Sequence, residues 1–401
     1  MIFVFYVFAA ILVVLSARSL LGGIAYLQFF KAEIAKPASE FTPFVTIIAP
    51  CRGLDTGLEE NIEALFRLDY PNYEIIFVVD DKMDPALSLI ENISRIAARD
   101  AKKTKVIVAG KAQGCSQKVE NLREAVLHAS DGSAAFIFVD SDVRPSIGWL
   151  RSIVAPLADE NIGAATGYRW FISKNPTFAS ELRSVWNASI ASALGPETRS
   201  NFCWGGSMGM RRDTFDRLDI REKWLGTLSD DFAVTRTMNE ANLPIVFVPQ
   251  ALTASIEDCT FGEMLEFTTR QMKITRVYAA KLWVMSFIGS GLFSAVMIAA
   301  FLIAILSRQN DIAVFAAVIT LLLVTAFSIG KSWLRLKAVR LVLIKNENEL
   351  RKQFLTQNTL WLLTPAIFFY NSIAALLSRR MTWRGTVYEL KSPTETVIIA
   401  D

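Results

Sequence analysis

The sequence predicts an α/β domain built on a mainly parallel sheet, joined to membrane-spanning helices. Three observations carry this. Short apolar runs, such as Glu74–Val79 and Ala134–Val139, alternate with helix-period stretches, the rhythm of parallel βαβ units. Hydrophobic residues make up 52% of the chain and mean hydropathy is +0.34, too apolar for an ordinary soluble protein. Leu282–Leu306 is an apolar stretch of about 25 residues, long enough to cross a bilayer.

Ile2–Leu15 is almost wholly apolar and continues past Arg18 to Phe30. It has no basic leading region and no clear small-residue cleavage site, so residues 1–30 are expected to be a retained anchor rather than a signal peptide. Arg18, Lys31 and Lys36 follow its apolar core, which places the next domain on the cytoplasmic side by the positive-inside rule. Lys36–Pro43, with two prolines, reads as a linker.

Strands are expected at Phe44–Pro50, Glu74–Val79, Lys105–Ala109 and Ala134–Val139, with helices at Leu58–Leu68, Asp84–Ala98 and Lys118–Ala129 between them. Beyond Pro145 the pattern predicts strands at Gly163–Phe171 and Ile245–Val248 and a helix at Phe232–Ala241. The stretch Phe202–Met210 (FCWGGSMGM) is aromatic and glycine-rich, so backbone can approach a ligand closely there, or simply turn between strands.

Phe261–Lys281 carries Arg270, Lys273, Arg276 and Lys281 among apolar residues, the pattern of a basic interfacial helix that can also meet a diphosphate. Ile312–Ile329 is a second span after the polar link Ser307–Asp311. Lys331–Lys352 is strongly basic and expected in the cytoplasm. Leu360–Leu377 is apolar but interrupted by Pro365, and the tail from Arg379 is basic again. A full crossing by 360–377 puts that tail outside, against the charge rule; a re-entrant or interfacial segment does not. The expected domains are therefore 1–30, a catalytic domain at 44–260, the interfacial helix at 261–281, a transmembrane or re-entrant region at 282–378, and a basic tail at 379–401.

Several classes drop out. Net charge is +3, which gives no polyelectrolyte for nucleic acid. Cys51, Cys115, Cys203 and Cys259 are far apart with no CxxC pair, as expected of a reducing compartment. His128 is the one histidine and sits in a helical pattern, so a histidine base or histidine metal site is not expected. No GxGxxG follows a strand, and no GxxxxGK[ST] occurs, so the domain is neither a Rossmann dehydrogenase nor a P-loop enzyme.

Three acidic sites border apolar elements: Asp80-Asp81, Asp140-Ser141-Asp142 and Asp230-Asp231. Two carboxylates two residues apart at a strand's C-terminal end suit a hard divalent cation, and ligands of open α/β sheets bind at those ends. The same residues can also merely cap helices and shape turns.

The strings VTIIAPCRG, LEENIEALFRLDYPNYEIIFVVDDKMDPA, QKVENL, FVDSDVRP, WGGSMGMRR, LSDDFAVTR and WRGTVYEL occur in this order, over about residues 44–278 and 383–390. Together they resemble the ceramide glucosyltransferase family, family 21-like, within the inverting, metal-dependent GT-A glycosyltransferases related to family 2. The resemblance implies a GT-A fold and a role for each matched residue. Asp81, with Asp80 beside it, would contact the nucleotide. Asp140 and Asp142 would form the DxD site, holding the diphosphate through Mg²⁺ or Mn²⁺. Lys118 would support the nucleotide, Asp231 would be the general base, and Arg270 and Lys273 would contact the nucleotide-sugar. It also implies a UDP-sugar donor, a ceramide-like lipid acceptor, and a multi-pass protein of the inner or cell membrane with a cytoplasmic active site. The family's last motif, (Q/R)xxRW, here reads Arg270-Gln271-Met272-Lys273-Ile274. Lysine keeps the charge but not the bidentate fork, and isoleucine lacks the aromatic platform. That departure points away from the alternative of a processive polysaccharide synthase. A polyprenyl-phosphate glycosyltransferase is the other enzymatic alternative. A non-catalytic membrane protein would tend to lose its acidic sites, and all three are present.

Overall fold

The computed structural model describes residues 2–97, 103–307 and 310–400. Ala98, the expected end of the helix before the third strand, lies outside these residues, as do 308–309 of the polar link and the two chain ends. The chain forms two compact units.

One unit comprises Ala32–Asn175, Ala193–Asp258 and Arg379–Asp401. Its centre is a seven-stranded sheet: β1 (Val45–Pro50), β2 (Tyr73–Val79), β3 (Lys103–Val108), β4 (Ala135–Val139), β5 (Ala164–Ile172), β6 (Ser207–Arg211) and β7 (Ile245–Ile256), in the order β3-β2-β1-β4-β6-β5-β7. β1, β2 and β4 are buried along their whole length, which is why they read as continuous apolar runs rather than alternating ones. β3, β2, β1 and β4 run parallel, and β6 is antiparallel to both β4 and β5. The sheet is thus mainly parallel and flanked by helices, as expected. Its order reverses between β1 and β4, so their carboxyl ends form the crevice where open α/β sheets bind ligands.

β7 runs eight residues beyond the expected Val248. Pro249 hides this in the sequence, but β7 is an edge strand and its register against β5 shifts between Thr166 and Tyr168. Edge strands and bulges are where a strand tolerates proline. The sheet is covered by helices of this unit: α2 (Leu58–Phe66), α3 (Pro85–Ala97), α4 (Gln117–Ala125), α5 (Trp149–Val154), and later α7 (Arg212–Arg217), α8 (Ile220–Lys223) and α9 (Asp230–Glu240). Phe136, Phe138, Phe215 and Trp224 pack edge to face on one side, with centroids 5.0–5.5 Å apart.

The stretch expected as a basic tail is folded. Arg380–Trp383, Thr386–Ser392 and Glu395–Ala400 (β8–β10) form an antiparallel three-stranded sheet. Arg384 and Gly385 have φ of 48° and 85° and close a two-residue hairpin, whose twist matches that of its strands. The basic residues concealed the strand pattern: Val387 and Glu389 alternate with the buried Tyr388 and Leu390.

The other unit comprises Met1–Lys31, Pro176–Ser192 and Cys259–Ser378. Three of its described helices are long and apolar enough to cross a membrane: α1 (Ile2–Ile34), α11 (Ala280–Leu306) and α12 (Asp311–Arg340). α12 does not stop near Ile329 but continues through the first half of the basic run. α6 (Phe178–Ala191) and α10 (Phe261–Tyr278) complete the unit with α13 (Glu347–Lys352), α14 (Phe354–Thr359) and α15 (Thr364–Leu377). A capping box of Thr260 and Glu263 starts α10. Residues 354–362 and α15 are bent by 55° against each other. Pro365 lies in the first turn of α15, where its missing N–H costs nothing.

Candidate active site

β4 delivers Asp140-Ser141-Asp142 to the crevice beside β1. Asp140 Oδ1 accepts a hydrogen bond from Lys118 Nζ at 2.7 Å, and the same ammonium lies 3.1 Å from Asp230 Oδ1. Lys118 is held by the start of α4. There Ser116 Oγ accepts from Val119 N at 3.2 Å, and the Tyr388 hydroxyl accepts from Gln117 N at 3.2 Å. Burial alone would lower the Lys118 pKa, but Asp140, Asp230 and Asp231 outweigh it and raise the value. Burial likewise works against the Asp140 carboxylate, and Lys118 followed by Arg169 holds its pKa below the ordinary range.

Asp230 is different. It is 2% exposed, and burial, with repulsion from Asp231 and Asp140, pushes its pKa up to about 7 despite Lys118. Its Oδ2 has no hydrogen-bond partner. A Cβ on Gly205 would lie 2.2 Å from that oxygen and 2.7 Å from Lys118 Nζ. The glycine of WGGSMG therefore gives this charge cluster its room.

Asp231 sits in the first turn of α9, so this helix begins two residues earlier than expected. Its carboxylate is oriented by three donors. The Ser229 hydroxyl and Phe232 N (2.7 Å) donate to Oδ1, and Gly205 N donates to Oδ2 at 3.3 Å.

Asp142 Oδ2 accepts from Arg169 Nη1 at 3.0 Å, whereas its buried Oδ1 has no partner. The Arg169 guanidinium lies over the rings of Trp204 and Phe171, at 4.8 and 5.4 Å. Among the described residues, no group of three or more His, Cys, Asp or Glu side chains is arranged to hold a metal ion. Two carboxylates with one orphaned buried oxygen still fit Mg²⁺ or Mn²⁺. Such ions are commonly held by one or two carboxylates and complete their shell with phosphate oxygens and water.

Asp80 is buried and ion-paired with Lys111 at 2.8 Å and with Arg52 at 3.6 Å. Asp81 is half-buried, and its Oδ1 accepts from Met83 N at 2.8 Å in a turn. Arg384, from the β8–β9 hairpin, donates to Asp55 Oδ2 at 2.8 Å and to the Arg52 carbonyl at 2.7 Å. The Ser141 hydroxyl donates to the same Asp55 oxygen at 2.6 Å. The unit thus brings together Asp80, Lys118, Asp140, Asp142, Asp230 and Asp231 with Arg52, Arg169 and Arg384. Sequence reasoning missed the three arginines and Asp55. The available signals were an arginine inside the apolar strand GYRWF and the turn-forming Arg-Gly of WRGTV. Arg270 and Lys273 lie on α10 in the other unit. Arg270 is 3.9 Å from Glu266 and lies over Phe267; burial lowers the Lys273 pKa.

The arrangement offers paired carboxylates for a cation, positive charge for a diphosphate, and one carboxylate fixed in orientation for proton transfer. The ceramide glucosyltransferase of Gibberella zeae is 30% identical over 200 residues, which is 44% of this chain and 36% of that protein. The Candida albicans ceramide glucosyltransferase is 26% identical over 172 residues, 40% and 30% of the two chains. This chain therefore spans about a third of the length of these curated relatives. A solved mannosyltransferase of Pyrobaculum calidifontis, in complex with GDP-Man and Mn²⁺, matches over 92% of this chain and 98% of its own at 18% identity, with a TM-score of 0.47. Residues 8–396 match the family described as glycosyl transferase family 21, and with nearly its whole length matched the chain belongs to that family.

Proposed function

We propose that this protein is a membrane-bound, inverting glycosyltransferase that moves a hexose, glucose in the first instance, from a UDP-sugar to the hydroxyl of a ceramide-like lipid. The observation that carries the reading is the cluster at the carboxyl end of β4, where Asp140, Asp142, Lys118, Asp230 and Asp231 meet. Family membership and the ceramide glucosyltransferase relatives support the substrate class.

The acceptor oxygen attacks the anomeric carbon from the face opposite the nucleotide. The new C–O bond forms as the bond to the diphosphate oxygen breaks, and the hydroxyl proton passes to Asp231. Asp140 and Asp142 would hold Mg²⁺ or Mn²⁺, which as a Lewis acid offsets charge on the leaving diphosphate. Arg169 holds Asp142, and Lys118 compensates the carboxylates around it, so these side chains are fixed before donor binds. One carboxylate suffices for the proton, unlike the paired carboxyls of glycoside hydrolases.

Binding of UDP-glucose, followed calorimetrically, is expected to require Mg²⁺ or Mn²⁺ and to weaken at least about tenfold in Asp142→Asn, since a charged contact is worth roughly 1.5–3 kcal/mol. Equal binding with and without the cation, in both proteins, would remove the DxD assignment.

The three long apolar helices make the protein a multi-pass membrane protein in this reading. Residues 32–175, 193–258 and 379–401 fold into one unit and must share one side of the bilayer. Between Asp258 and Arg379 the chain then crosses an even number of times. With α11 and α12 taken as two crossings, this reading makes the bent 354–377 segment re-entrant. A re-entrant segment fits the basic C-terminal region, and the positive-inside rule supports a cytoplasmic catalytic unit. The four native cysteines are buried and free, giving a quiet background for labelling. A membrane-impermeant maleimide is expected to label Asp311→Cys on intact cells and Thr394→Cys only after permeabilisation; labelling of both from one side would contradict the topology.

A further inference from the structure

Within the helical unit, α1 and α12 border a cavity of about 120 Å³ lined by Tyr26, Lys331 and Arg335 together with Ser19, Ser192 and two glycines. The helices approach closely here: a Cβ on Gly23 would lie 3.3 Å from Lys331 Cα. Lys331 and Arg335 are four residues apart and so share a helix face, an unfavourable spacing for like charges. No acidic side chain lines the cavity, and neither cation makes an ion pair among the described residues.

Two buried groups here have no hydrogen-bond partner, Arg335 Nε and the Tyr26 hydroxyl. Arg335 is 5% exposed; its Nη2 donates to Ser332 Oγ and Gln357 Oε1, both at 3.2 Å, but its Nε has no partner. The Tyr26 hydroxyl is equally buried and also has none. A buried guanidinium N–H and a buried hydroxyl left unpaired are costly. Two cations, a phenol and the Ser19 hydroxyl around one small space form a donor-rich set that a tetrahedral oxyanion satisfies, whereas the Ser192 hydroxyl already donates to the Ala188 and Ser189 carbonyls. Lys331 and Arg335 lie near the C-terminal end of α12, where a span leaves the hydrocarbon and meets headgroups.

We infer that this cavity binds a phosphate-type anion, supplied by an anionic phospholipid headgroup or by free phosphate. The lipid source rests on the membrane reading above. The test uses full-length protein in detergent, with native mass spectrometry and thermal unfolding in the presence of phosphatidylglycerol, phosphatidylcholine or inorganic phosphate. Wild type is compared with Lys331→Gln and with Tyr26→Phe, which removes a hydroxyl that bonds to nothing in the structure. If the source is lipid, phosphatidylglycerol binds and stabilises wild type more than phosphatidylcholine does. Lys331→Gln then weakens it about tenfold, and Tyr26→Phe weakens it less, because a phenol donates one neutral hydrogen bond where the ammonium donates charged ones. If the same Lys331-dependent stabilisation comes from inorganic phosphate instead, the site stands and its occupant is the free anion. UDP-glucose binding stays unchanged in both variants. Equal responses of wild type and both variants to all three additives would overturn the site.

Discussion

Asp231→Asn is expected to bind the nucleotide-sugar as wild type does and to transfer about 10²–10⁴-fold more slowly, the range for loss of a general base. The substitution keeps the size of the side chain. Its amide oxygen can still accept from Phe232 N or Gly205 N, so the start of α9 should persist. What it removes is the carboxylate oxygen that the proposed reaction uses to take the acceptor proton. Parallel measurements of donor binding and of initial transfer rate separate the two effects. Full activity in Asp231→Asn would assign the base elsewhere, with Asp230 the next carboxylate to examine. Asp230 is the poorer candidate because it is buried and its carboxylate already faces Lys118.

The second large effect is on stability. Lys118 compensates Asp140 and Asp230 directly and Asp231 through space. Its side chain and those of its two direct partners are each less than one-fifth exposed. Breaking a buried charge pair by removing one partner costs roughly 3–5 kcal/mol, because the remaining charge is left uncompensated. Lys118→Met is therefore expected to lower the melting temperature by several degrees, whereas Lys118→Arg, which keeps the charge, should lower it much less. Added Mn²⁺ or Mg²⁺ should recover part of the loss in Lys118→Met, since a cation held at Asp140 replaces some of the missing positive charge. A melting temperature unchanged in Lys118→Met would show that the three carboxylates do not depend on this ammonium.

Much of the sheet-bearing unit was legible because its central strands β1, β2 and β4 are buried on both faces. VTIIAP, EIIFVV and AFIFV can only be central strands of a covered sheet, and their carboxyl ends bring the acidic residues to one crevice. The missed parts have local causes. Pro249 stopped the reading of β7 at Val248, yet the bulge opposite Gly167 accommodates it. The β8–β10 sheet was read as a basic tail because Arg379, Arg380, Arg384 and Lys391 dominate its composition. Its alternation lies in five buried positions, Met381, Thr386, Tyr388, Leu390 and Thr396. Arg384 reaches Asp55 and the Arg52 carbonyl, contacts more than 300 residues apart in sequence that no local pattern encodes. The ammonium of Lys118 between Asp140 and Asp230 is of the same kind. The motif strings hold each residue, but the shared cation follows only from the crossover that brings α4, β4 and α9 together.

The most direct test of the central claim is a transfer assay on purified, detergent-solubilised protein supplied with radiolabelled UDP-glucose, ceramide and Mn²⁺ or Mg²⁺. Label is expected to move into a lipid-extractable product carrying a single sugar in inverted configuration, and EDTA is expected to abolish it until the cation is restored. Label that stays water-soluble, or a lipid product formed equally well in EDTA, would contradict the account.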